Sequence, residues 1–318
     1  MFTVSEIAWI VRSNHHYVTG RIALKVSCFT FLRNAHILGY PFVESIRSAL
    51  PLCDEYIVNI GDCDDDTTEM VQAIGSEKIR IIRNRWNENM QTKGYVYGQQ
   101  KSIALFNCTG DWAFYLEADE VIHEDDIPAI RRAMEEHLED ERVEALVFDF
   151  IHFYGNHATY ASSPAWYRRE VRIIRNTIRS FAPDGLFFVV LDSGSNKHGR
   201  YPRAVLADAR IFHYGWVRSQ EQMTEKSRRV SPYWGGGGTD FDYTKIDPLV
   251  LKEFTDSHPG VMRNWLPQEV PPVFIADPAY CLSGREKRHR MMMKFENLFG
   301  VDLTKKHFTL VNKRRRPG

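Results

Sequence analysis

Cysteine is scarce in this 318-residue chain, and no run approaches the roughly 18 apolar residues of a membrane-spanning helix. The five cysteines (Cys28, Cys53, Cys63, Cys108 and Cys281) are odd in number, scattered, and show neither CxxC spacing nor a Cys/His zinc pattern. That excludes a disulfide framework and makes a reducing cytoplasm the expected home. The N-terminal stretch through Arg12, His15, His16 and Arg21 lacks the apolar stretch and cleavage site of a signal peptide, so a soluble protein is expected. Net charge is absent too: 41 basic residues balance 41 acidic ones, which leaves no bulk electrostatic case for nucleic acid. Also missing are GxxxxGK[ST], a GxGxxG after the first strand, GxSxG and HExxH, so P-loop, dinucleotide, α/β-hydrolase and zinc-protease chemistries lose their usual signatures.

What is present is an alternating pattern. Residues 1–24 show no clear period and read as an extension. KVSCFTFLRNA (25–35) is rich in β-branched and aromatic residues and predicts a strand ending in a polar turn. Ile37, Phe42, Val43, Ile46 and Leu50 are spaced for one helical face. EYIVNI (55–60) predicts a second strand, GDCDDDTT a loop suited to capping the helix TEMVQAIG, and KIRIIR (78–83) a third strand. A helix through Ser102 to Leu105 then leads past Thr109-Gly110 to DWAFYLEADE, a predicted fourth strand with an acidic end. Strands joined by helical crossovers run parallel, so the first half is predicted to be an open α/β sheet with its ligand beyond the carboxyl ends of the strands.

After a polar helical stretch (127–142), strands resume at ALVFDFIHFYG, near Leu186 to Leu191 and near Ala209 to Tyr214, giving a mixed α+β second half. Gly235 to Gly238 predict a flexible loop. The expected organisation is an N-terminal extension (1–24), an α/β half suited to a nucleotide (25–135), a mixed second half (136–284), which the resemblance described below makes the acceptor side of the same catalytic domain, and a basic C-terminal tail (285–318). From Arg285 onward eleven Lys/Arg face three acids, so the tail reads either as solvated charge or as a contact for an anionic membrane surface.

EADE carries the first chemical signal. In a strand, Glu117 and Asp119 would share a face, and a hard cation would relieve their repulsion while leaving room for phosphate oxygens. A solvated strand end is the plain alternative. GDCDDDT lacks the glycine and terminal glutamate of an EF-hand loop, which leaves helix capping by Asp66 or Thr67 and nucleotide contact both open.

The ordered series FTFLRNA, EYIVNIGDCDDDT, KIRIIRNRW and KSIALFNCTGDWAFYLEADE resembles the nucleotide-sugar half of an inverting family 2 glycosyltransferase with the GT-A fold, over about residues 25–135. The resemblance implies a Rossmann-like, mostly parallel sheet and a sugar moved from a nucleotide donor to an acceptor hydroxyl in one metal-dependent displacement. It implies donor binding by Thr30, Phe31, Arg33, Asp62, Asp65, Lys101 and Glu117. It also implies a divalent metal (Mn or Mg) at Asp119 and Glu120, with His213 completing the set, and a carboxylate base. Asp184, in SFAPDG, is the chosen base; Asp149 and Glu170 are alternatives, and His152 carries no transferred role. Trp166, Tyr167, Trp216 and Trp234 are candidate sugar-stacking rings or core. Three departures stand out: Glu117 where the family has Asp, Ile60-Gly61 where it often has a base-reading Asp, and Lys101-Ser102 where it often has Arg-Asn. A glycan or lipid-linked acceptor, cell-surface glycan or lipopolysaccharide synthesis, and work at the inner membrane face are the implied setting. A catalytically silent glycan- or nucleotide-binding protein and a nucleotidyltransferase are the rival readings.

Overall fold

The computed structural model describes residues 23–192, 194, 197–237 and 240–311. The expected extension lies almost wholly outside them, as do Lys313 to Arg316 of the tail. The first half follows the alternating pattern: β1 (Val26–Leu32), α1 (Phe42–Ala49), β2 (Glu55–Ile60), α2 (Thr67–Gln72), β3 (Ile79–Arg83), α3 (Tyr95–Phe106) and β4 (Trp112–Tyr115). There follow β5 (Glu120–Ile122), α4 (Ile127–Glu136), β6 (Ala145–Tyr154), β7 (Asn156–Ala161), β8 (Arg169–Arg175), β9 (Ser180–Phe181), β10 (Val189–Leu191) and β11 (Gly199–Arg200). β12 (Arg203–Trp216), α5 (Gln220–Val230), β13 (Leu251–Glu253), α6 (Gly284–Phe299) and β14 (Thr309–Leu310) complete the chain.

One sheet runs in the order β13-β7-β6-β8-β4-β1-β2-β3; β12 joins it through β6, and β5 and β14 pair with β12. The strands β3, β2, β1 and β4 are parallel, as the crossovers require. Beyond β4 the pairing turns antiparallel at β8, so the nucleotide-type half and the mixed half share one continuous sheet. The three central parallel strands are apolar almost throughout because helices and loops cover both faces: VSCFTFL, EYIVNI and WAFY are nearly all buried. Below them, Phe42, Ile46 and Ala49 of α1 pack with Trp112, Phe114 and Phe148 in the largest core cluster.

Two loops at the carboxyl ends of β1 and β2 are tied by Asn34. Its amide nitrogen donates to Asp64 at 3.1 Å and its oxygen accepts the Asp64 amide at 2.7 Å. Asn34 has φ 53°, a left-handed conformation that asparagine tolerates better than most residues. Asp65, rather than Asp66 or Thr67, accepts the Thr67 amide at the start of α2, and it also accepts the Ile37 amide at 2.8 Å.

The predicted fourth strand is shorter than its sequence pattern. β4 ends at Tyr115, and Glu117 to Asp119 form a turn in which the Glu120 amide donates to the Glu117 carbonyl at 3.1 Å. The alternating-face argument for Glu117 and Asp119 therefore does not apply. The described part of the basic tail is ordered: α6 is opened by a Ser283/Glu286 capping box and closed by Gly300 at φ 64°. The glycine run begins with Gly235 at φ 79°, ending the short helical turn 231–234.

His258 packs against Phe153 and Phe254 and meets the Tyr214 hydroxyl at 2.8 Å. Burial, then neighbouring His157, pushes its pKa down to about 4. The unfolded chain, with a histidine pKa of about 6.5, takes up this proton first, so His258 supports folding at neutral pH and that support is lost as pH falls from about 6.5 through 4. Urea unfolding midpoints should drop over this interval, and His258→Gln should flatten the drop.

Candidate active site

A cavity of about 1000 Å³ opens at the carboxyl ends of the parallel strands, where a doubly wound sheet places its ligand. Phe31 and Arg33 from the end of β1, Trp86 after β3, Tyr97 of α3, and Glu117 and Asp119 from the turn after β4 line one side. His152 and Tyr154 of β6, Trp166, Tyr167, His213, Trp216, Lys226 and Trp234 line the cavity as well. All four candidate stacking rings thus face the cavity, and so does the tyrosine–tryptophan group Trp86, Tyr97 and Trp234.

The acidic turn rests on Arg172 of β8, whose side chain is fully buried. Its guanidinium grips Glu120 with two bonds, 2.7 Å to Oε2 and 2.5 Å to Oε1, and reaches Glu117 at 3.3 Å. Glu120 also accepts the Glu117 amide at 3.1 Å. Both Glu120 oxygens are thereby engaged away from the cavity, which leaves Glu117 and Asp119 as the acids that face it. Burial, and then the charge of Glu120, pushes the Glu117 carboxyl up to about 8.

Asp119 is 3% exposed and surrounded by nitrogen. Its Oδ2 takes Arg218 at 3.2 Å and Lys226 at 3.5 Å, while its Oδ1 faces His213 Nε2 at 3.6 Å. Burial alone would raise this carboxyl, but the charges of Lys226 and Arg218 hold it well below the usual range. Lys226 in turn is brought down to about 8, by burial first and by Arg218 second. The Tyr214 amide donates to the Asp119 carbonyl at 2.8 Å and pins the turn to β12.

A histidine pair orients the ring of His213. β12 lies parallel to β6 with His213 opposite His152, and their Nδ1 atoms are 2.8 Å apart. His152 Nε2 lies 2.8 Å from the Tyr167 carbonyl, which can only accept, so this nitrogen carries the proton. Burial and the neighbouring His213 keep His152 neutral, with its pKa well below the usual value. His152 Nδ1 is therefore an acceptor, and His213 Nδ1 must donate to it. A neutral His213 then presents the lone pair of Nε2 to the Asp119 carboxylate. Two acceptors face each other there, an arrangement that a cation between them satisfies. Gly215 keeps the spot open: a Cβ at this position would come within 2.4 Å of His213 Nε2 and 3.0 Å of Asp119 Oδ2. The donor chemistry at Asp119 Oδ1 and His213 suits a divalent ion that takes its remaining ligands from phosphate and water, although among the described residues no group of three or more His, Cys, Asp or Glu is assembled to hold one.

Other expected site residues lie elsewhere. Thr30 is buried in β1 with no partner among the described residues for its hydroxyl. Asp62 pairs with Arg85 on the surface, and Asp65 ties loops as described above. Arg33 faces the cavity while pairing with Glu88 and the Tyr233 hydroxyl. Lys101 is fully enclosed: its ammonium sits 4.0 Å and 3.9 Å from the Tyr115 and Phe188 rings and donates to the Gly185 and Leu186 carbonyls at 3.1 Å. Burial, with Arg172 next, lowers its pKa to about 7. Asp184 holds the same loop, its Oδ1 accepting the Leu186 and Phe187 amides at 2.8 and 3.3 Å. Asp149 pairs with Arg169, and buried Glu170 with His307. The residues that motif reading missed are Arg218 and Lys226, together with Glu286 and His289 of α6, which line the cavity from the C-terminal side.

Residues 40–189 match the model of glycosyl transferase family 2. Over this stretch the chain is similar to family 2 glycosyltransferases. Among solved structures similar to it, S. aureus TarS is 14% identical, the match covering 65% of this chain and 39% of that one at a TM-score of 0.35. A glucosyl-3-phosphoglycerate synthase from Mycobacterium tuberculosis, in complex with Mn2+, uridine diphosphate and phosphoglyceric acid, is 18% identical, covering 42% of this chain and 44% of that one at 0.29. The chain spans less than half the length of either of these two structures. No curated protein matches it.

Arg172→Met should leave Glu120 charged and buried without a partner. Breaking such a pair costs about 3–5 kcal/mol, which urea unfolding would read directly. Adding Glu120→Leu to the same variant should recover much of the loss.

Proposed function

We propose that this glycosyltransferase moves a sugar from a nucleoside diphosphate donor to an acceptor hydroxyl by a single inverting displacement, with a divalent metal at Asp119 and His213. The observation that carries the reading is the pairing of an Asp119 oxygen and an aimed histidine lone pair on one side with Arg218 and Lys226 on the other, at the ligand end of a parallel sheet. When bound, the metal would neutralise charge on the departing diphosphate. Lys226, which lines the cavity, supplies positive charge for the same group, and Arg218 holds Asp119 in place. His152 orients the His213 ring so that Nε2 faces Asp119. Phe31, Trp86 and Tyr97 offer an aromatic wall for the nucleoside, and Trp166 and Trp216 offer faces for sugar rings. The expected setting remains assembly of a cell-surface glycan or lipopolysaccharide.

Thermal unfolding with uridine, guanosine and thymidine diphosphates, each with and without manganese, tests this reading. A ligand at a hundred times its dissociation constant adds about 2.7 kcal/mol to stability. Asp119→Asn and Gly215→Ala should each abolish the manganese-dependent part and keep the fold. A shift that ignores manganese, or survives both changes, would sink the metal assignment.

For the base, Glu286 fits the cavity better than Asp184. One Glu286 oxygen accepts from Ser283 and Tyr280, which lowers its pKa against the effect of partial burial and keeps it ionised at neutral pH. Glu286→Gln preserves the helix cap but cannot take the acceptor's proton. Turnover should fall about a hundredfold to ten-thousandfold with donor affinity retained. Asp184→Asn should instead loosen the Gly185-Leu186 loop and weaken stability; collapse of turnover there with Glu286→Gln active would return the role to Asp184.

A further inference from the structure

Helix α6 has two working faces. Its inner face is filled: Glu296 pairs with Arg168 at 2.7 Å, Arg290 with Asp247 at 2.7 Å, Met293 packs against the core cluster that includes Tyr154 and Tyr243, and Glu286 and His289 reach the cavity. Its outer face carries Met291 (66% exposed), Phe295 (49%) and Leu298 (75%), with Phe299 (59%) at the end. At 3.6 residues per turn, the first three fall within about 60° of one another and form a single apolar stripe. Exposed Lys287 and Lys294 flank the stripe on one side, and exposed Arg285 and Arg288 flank it on the other. Just past the helix, Val301 and Leu303 remain exposed, followed by exposed Lys305 and Lys306.

Among the described residues no packing covers these side chains. A stripe of large apolar residues bordered on both sides by Lys and Arg suits the boundary between acyl chains and anionic headgroups. A second copy suits it less well, because stacking two such faces opposes lysine and arginine to their own kind. We infer that the outer face of α6 docks on an anionic bilayer surface, with Met291, Phe295 and Leu298 inserted and Lys287, Arg288 and Lys294 against the headgroups. Because the opposite face of the same helix lines the cavity, docking would hold the cavity near the lipid surface. This inference does not depend on the sugar-transfer reading. Among the described residues no helix is long and apolar enough to cross a membrane, so the contact is peripheral.

Flotation of the full chain with phosphatidylcholine vesicles, with and without about one-third phosphatidylglycerol, tests the inference without any enzyme assay. The wild-type chain should float with the anionic vesicles only. Phe295→Ser combined with Leu298→Ser should reduce this partition at least tenfold while circular dichroism and the melting transition stay unchanged. Lys287→Gln combined with Lys294→Gln should weaken it and reduce its salt sensitivity. Equal flotation with neutral vesicles would overturn the inference, as would undiminished binding by the Phe295/Leu298 variant, which would put the contact on Lys313 to Arg316 instead. Concentration-dependent self-association that the same variant abolishes, without vesicle binding, would identify the face as a dimer surface and overturn it as well.

Discussion

The buried guanidinium of Arg172 is the constraint on which the site depends. β8 lies between β4 of the parallel half and β6 of the mixed half, so an arginine at its centre faces the point where the sheet changes direction. There it neutralises Glu120 completely and Glu117 partly. Without that charge, three carboxylates within four residues could not share a turn whose members are mostly buried. Replacing a buried ion pair by apolar groups often costs little stability, so what the pair supplies here is geometry. It holds the turn that aims Asp119 into the cavity.

A division of labour among the acids follows. Glu120 is consumed by structure, Glu117 is desolvated at the cavity edge, and Asp119 is kept ionised by Lys226 and Arg218. The two cations crowd one oxygen of Asp119, and the histidine faces the other. On the proposed reading, an incoming diphosphate therefore meets positive charge that is already positioned and already stripped of water, so little reorganisation is left for the moment of transfer.

The parallel half was largely legible in the sequence because its strands are continuous apolar runs and its turns are marked by Asn, Asp and Gly; EYIVNI matches β2 residue for residue. The acidic motif was legible as a site but not as a shape. Its turn depends on Arg172, more than fifty residues away, and no local period announces such a partner. Lys101 shows the same limit. On its helix it reads as a charge available to a ligand, yet the rings of Tyr115 and Phe188 enclose it, and only the packed structure brings those rings together. Asp184 was legible as a turn aspartate, and its side chain does cap the turn. Arg218 lies in the turn before α5 and Lys226 within that helix, neither in a motif, so their convergence on Asp119, about a hundred residues earlier, has no sequence signal beyond their nearness to His213.

That convergence comes from β12. This strand pairs with β6 on one side and β5 on the other, so His213 is next to both His152 and Glu120. Its register against β6 slips between Leu206 and Arg210 and again between His213 and Trp216. Such irregularities bend a strand and change the direction of the side chains beyond them. The second slip falls at the residues that matter: Gly215 leaves space beside His213 and Asp119, and the chain then turns through Arg218 into α5, which delivers Lys226. A regular strand would keep strict alternation through Trp216 and would have no reason to place a glycine there. The cation pair, the histidine and the open space thus arise from one bend at the end of the longest strand, in the half of the molecule where the family pattern is weakest.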